Sequence, residues 1–146
     1  MAITTRERGV GLSPFLTASN VIVWISAVIV MGIVSYFIST IHGAYYPGDH
    51  LVYDEVISVL TVAFFLAAFF LGSYPGHVLL FNLIFSYLWL VAVVFAVQDY
   101  NYGNSALQHT VEAFSFIAFF FLFFNVLYSW YLSSYRVGGR HTTAVV

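Results

Sequence analysis

The stretch from Glu112 to Arg136 reads E-A-F-S-F-I-A-F-F-F-L-F-F-N-V-L-Y-S-W-Y-L-S-S-Y-R, with formal charge only at its two ends. A helix needs about 20 apolar residues to cross a bilayer's hydrocarbon core, and this run supplies them. Three uncharged runs precede it: Val21–Ile41, Val56–Gly72 with apolar neighbours at both ends, and Val78–Val97. The 146 residues are 62% hydrophobic and only 7% charged, with mean hydropathy +0.94. Soluble domains carry roughly 25% charged residues, so this chain cannot clothe a water-facing surface. The expected fold is an all-α integral membrane protein, an antiparallel bundle of four transmembrane helices.

The expected organisation is a cytoplasmic N-terminal segment over 1–20, a four-helix domain over 21–135, and a cytoplasmic tail over 136–146. Within the domain the spans fall near 21–41, 53–73, 77–98 and 111–135. Arg6 and Arg8 before an apolar run also fit a signal peptide, but that run is too long and starts too late, and it reads as a retained span. Pro47-Gly48-Asp49 and Pro75-Gly76 mark turns. The five residues around Pro75 join neighbours that must run in opposite directions.

Orientation follows from the arginines. Lysine is absent, and the four arginines are Arg6, Arg8, Arg136 and Arg140. Positive residues beside spans favour the cytoplasm, so both termini are expected there. Asp49, Asp54, Glu55, Asp99 and Glu112 then fall at or near the opposite face.

Lipid tails are as apolar as leucine, so helices in a bilayer associate through close packing and hydrogen bonds. Small residues four apart offer such packing: Ala63 with Ala67, Ala68 with Gly72, Ala92 with Ala96, and Ser129 with Ser133. Asn82 and Asn125 lie inside the third and fourth spans as interhelical glue. Counted along their helices they stand about 10 Å apart in depth. Each is therefore expected to bond a backbone carbonyl, a serine or a tyrosine rather than the other. Tyrosines and tryptophans near the span ends suit the interface, whereas Phe114, Phe116, Phe119, Phe120, Phe121, Phe123 and Phe124 surround the last helix on every side.

Chemistry is sparse. Cysteine is absent, which removes disulfides and thiol chemistry. No ionisable residue is expected in the middle of a span, which argues against a proton relay, an ion-coupled transporter or haem between helices. His109 and Glu112 share a helical face and are the weak candidates for a metal pair, with His42, His50, Asp49 or Asp54 as further donors. A metal site needs three or four ligands, so Glu112 reads better as an acid favoured by a helix N-terminus. No metal, cofactor or catalytic residue is assigned, and a net charge of -2 without basic clusters excludes nucleic acid as a partner.

Three segments resemble the MARVEL domain, especially its small fungal members. They are Y-D-E-V-I-S-V-L-T-V (Tyr53–Val62), F-N-L-I-F-S-Y-L-W-L-V-A (Phe81–Ala92) and V-E-A-F-S-F-I-A-F-F-F (Val111–Phe121). The resemblance covers about residues 17–135 and carries over Asn82 and Trp89 as structural positions only. Fungal members often carry outer cysteines and an arginine just before the first span, and this chain has neither. The resemblance implies a non-enzymatic role in organising or shaping membrane through lipids, sterol among them, and through self-association. It also implies the plasma membrane or a secretory-pathway membrane as the location. Two other readings stay open: an accessory subunit of a larger membrane complex, and a small channel or metal transporter.

Overall fold

The computed structural model describes residues 14–41, 48–71, 78–100 and 105–138. Four helices account for almost all of them: α1 (Pro14–Thr40), α2 (Asp49–Leu71), α3 (Val78–Tyr100) and α4 (Ala106–Gly138). Each contains a segment long and apolar enough to cross a membrane. Among the described residues there is no strand.

The helix boundaries depart from the expected spans at informative places. α1 begins at Pro14, so residues 14–20, expected in the N-terminal segment, are its first two turns. Proline suits that position because its missing N–H would have no helical partner there. α2 opens at Asp49, where the Gly48 carbonyl accepts from Leu51 and Val52. The helix thus starts four residues before the expected span near 53–73, and Asp54 and Glu55 lie in its second turn. α4 opens after Ser105, whose carbonyl accepts from Gln108 and His109, and runs to Gly138, beyond the expected end at residue 135.

The helices form a ring. α1 packs on α2 and α4, and α3 packs on the same two, while the diagonal pairs make no close backbone approach. Contacts fix the register: His50 meets Asp99, Thr61 meets Trp89, and Phe64 meets Phe85. Asn20 meets Asn125, Phe15 meets Tyr128, and Phe37 meets Tyr100.

Buried positions recur every three or four residues. On α1 they include Leu16, Asn20, Val23, Ala27, Val30 and Val34, and on α4 Val111, Ser115, Ala118, Leu122 and Asn125. That alternation of three and four is the heptad-like spacing of a packed helix seam. Helices apolar on every side hide such a seam from a hydrophobicity pattern. What marks it is size and polarity, because the buried stripes collect Ser19, Ser26, Ser58, Thr61, Ser86 and Ser115 with the alanines. The outer surface instead carries Phe70, Leu80, Tyr87, Phe124 and Trp130. Small and hydroxyl side chains permit close approach and bond neighbouring backbone, which is what holds helices together where water exerts no drive.

Candidate functional site

The polar side chains gather in three layers along the bundle. In the lowest, Asn125 Nδ2 donates to Asn20 Oδ1 across 3.1 Å, and both residues are buried. The expectation that Asn125 bonds a carbonyl, serine or tyrosine is thus replaced by a side-chain amide. Asn20 belongs to the first two turns of α1, a segment the sequence reading assigns to the N-terminal region before the first span. A signal existed: Asn20 lies on the same spacing as Ser19, Val23, Ser26 and Ala27. Asn82 is also buried, and its Nδ2 has no partner among the described residues, like the buried Oδ1 of Asn125 and the Trp24 indole N–H.

The middle layer centres on Trp89, 1% exposed and the largest fully buried side chain. Its Nε1 donates to Thr61 Oγ1 at 3.1 Å, and the Thr61 hydroxyl in turn donates to the Ile57 carbonyl at 2.7 Å. A buried indole carries one donor that must be satisfied, and a threonine one helix away does so while keeping its own bond. Phe64, Phe65, Phe81 and Phe85 fill the space between α2 and α3 below this bond, with ring centroids 4.4–6.0 Å apart. Ala92 and Ala96 are fully buried on α3. Ala63 and Ala67 on α2 are exposed, so this pair is not part of the buried seam among the described residues. Gly72 lies outside the described residues.

The upper layer joins the end of α1, the start of α2 and the end of α3. His50 Nδ1 lies 3.1 Å from Asp99 Oδ1, and its ring stacks on Phe95 at 4.1 Å. Tyr53 meets Phe95 edge-on and donates to the Leu88 carbonyl at 3.2 Å. Ser35 donates its hydroxyl to Glu55 Oε1. Tyr100, expected at the interface, is instead buried against Phe37. Asp54 is 3% exposed, so a carboxyl group lies buried in the second turn of α2, close to the end of the span and not in its middle.

His109 and Glu112 form an isolated pair on α4, with Nδ1 3.6 Å from Oε2 and the histidine largely exposed. Among the described residues no three histidine, aspartate or glutamate side chains converge as metal donors. His42 lies outside the described residues.

Four apolar spanning helices with polar side chains turned inward define an integral membrane protein. Comparison with models of protein families, with curated proteins and with solved structures finds no match.

Proposed function

We propose that this chain is a non-enzymatic, MARVEL-like four-span protein that organises membrane through lipid contact and lateral association. The observation that carries the reading is the outer ladder on α4. Phe116, Phe120 and Phe124 are exposed and stack successively at 6.3 Å, with Phe123 exposed beside them. Rings held against one another along a helix lose little side-chain freedom when a further surface docks, so a rigid aromatic strip is a ready lateral contact. Inside, bonds such as Asn20–Asn125 and Trp89–Thr61 join helices of the same chain, which leaves apolar packing for neighbours.

The reading includes an antiparallel bundle with both termini cytoplasmic, supported by the arginine positions and by contacts that match the start of α2 with the end of α3. It places the protein in the plasma membrane or a secretory-pathway membrane. Its partners are lipids, sterol included, and further copies of itself.

Native mass measurement in lipid nanodiscs or mild detergent tests this. Wild type should show oligomers with retained lipid, and a combined Phe120→Ala, Phe124→Ala variant should shift them towards monomer without loss of helicity. A strictly monomeric, lipid-free wild type would count against the proposal. Crosslinks in native membranes that run mainly to one different protein would instead make the chain an accessory subunit.

A further inference from the structure

Asp54 is the only acidic or basic side chain among the described residues that is buried, and its Oδ1 has no hydrogen-bond partner. Glu55 beside it leaves Oε2 buried and unpartnered. From α3, Asp99 lies within electrostatic reach of Asp54, as do His50 on its own helix and the Tyr100 phenol. Around Asp54, Glu55 and Asp99 add two further carboxyl groups, and the one histidine on α2, His50, is already engaged with Asp99. Tyr53 adds only a neutral phenol that is bonded to Leu88. From α1 the neighbour is the Ser35 hydroxyl, and the one ionisable group on that helix, Tyr36, is exposed. On α4, His109 and Glu112 pair with each other.

An uncompensated carboxylate in a dry interior is strongly disfavoured, and a second carboxylate nearby worsens it. No lysine exists in the chain, and its arginines are at positions 6, 8, 136 and 140, far along the sequence from α2. We propose that Asp54 is the seat of a small-cation site, in which Oδ1 takes a unit positive charge as a proton or an alkali ion such as sodium. The cation enters from the aqueous side past His50 and Asp99, both about two-fifths exposed. A proton arrives from bulk hydronium and adds to Oδ1. An alkali ion takes the same oxygen; the buried Ser58 hydroxyl, four residues further along α2, donates its proton to the Glu55 carbonyl at 2.9 Å and so keeps oxygen lone pairs for a cation. A transition metal does not suit the site, because among the described residues no three strong donors converge there.

The test is thermal unfolding of the full chain in detergent, followed by tryptophan fluorescence. One arm replaces N-methylglucamine by sodium at fixed pH, and the other lowers pH from 8 to 5 without sodium. Wild type should gain roughly 3–6 °C in at least one arm once the cation reaches about ten times its dissociation constant. The sodium arm responding alone identifies an alkali ion, and the pH arm alone a proton. Asp54→Asn, nearly isosteric and uncharged, should lose that gain, and Asp49→Asn on the exposed first turn should keep it. A wild type flat in both arms, or an Asp54→Asn response equal to that of wild type, overturns the proposal. If Asp54→Asn does not fold, Asp99→Asn decides: a reduced gain supports the site, and an unchanged gain overturns it.

Discussion

Asn125 on the last helix donates a 3.1 Å hydrogen bond to Asn20 on the first, across 105 positions of sequence. The bond closes the ring of helices, since α1 and α4 are the first and last elements among the described residues. Neither residue has another described way to satisfy its amide as fully, so the pair should behave as a unit.

Replacing either Asn20 or Asn125 by leucine should destabilise the bundle by about 1–2 kcal/mol, because the remaining amide is left unpaired in a dry environment. The double replacement should recover part of that loss. Intramembrane hydrogen bonds couple by about 0.6 kcal/mol on average and up to about 1.7. Unfolding in mixed micelles, arranged as a double-mutant cycle, measures this coupling, and a value of zero would mean the pair does not form.

Trp89 should divide its contribution between ring and donor. Trp89→Phe removes only the bond to Thr61, whose hydroxyl keeps the Ile57 carbonyl, at an expected loss of about 1 kcal/mol. Trp89→Ala leaves a cavity as well and should lose about 3–5 kcal/mol. Thermal unfolding of the two variants side by side separates the terms.

The alanines should split by location. Ala92→Leu and Ala96→Leu overfill buried positions and should each destabilise by about 1–3 kcal/mol. Ala63→Leu and Ala67→Leu project outward and should leave the monomer's stability within about 0.5 kcal/mol. If these two variants alter anything, it should be the oligomer distribution in nanodiscs, read by the same native mass measurement as the α4 ladder.

His109→Ala and Glu112→Ala should change stability by less than about 1 kcal/mol, as partly exposed ion pairs generally do. Added zinc should leave the melting curves of wild type and both variants superimposed. A zinc-dependent rise that either substitution removes would restore the pair as a metal site.

Much of the architecture was legible because a bilayer makes one demand that sequence shows directly. Lipid cannot satisfy backbone polar groups, so uncharged runs of the right length must be helices, and four of them were countable. The seam was not legible in the same way. In Phe119-Phe120-Phe121-Leu122-Phe123-Phe124 only Leu122 is fully buried, and apolarity does not distinguish it from its neighbours. The helical place of Asn20 was hidden by its mildly polar neighbourhood, and the burial of Asp54 by its dependence on what the neighbouring helices put beside it.

Returning to E-A-F-S-F-I-A-F-F-F-L-F-F-N-V-L-Y-S-W-Y-L-S-S-Y-R, its sequence alone determined that it crosses a membrane, since length and lack of charge decide that against lipid whatever the neighbours are. Only the tertiary structure decided which of its faces turns inward and that Asn125 finds Asn20 there. It also decided that the acid calling for an explanation is Asp54 on α2 rather than Glu112 on α4. The physical reason is the same in each case. Partition into a bilayer sums over a segment's own residues, whereas burial and pairing depend on distances between segments that no single run contains.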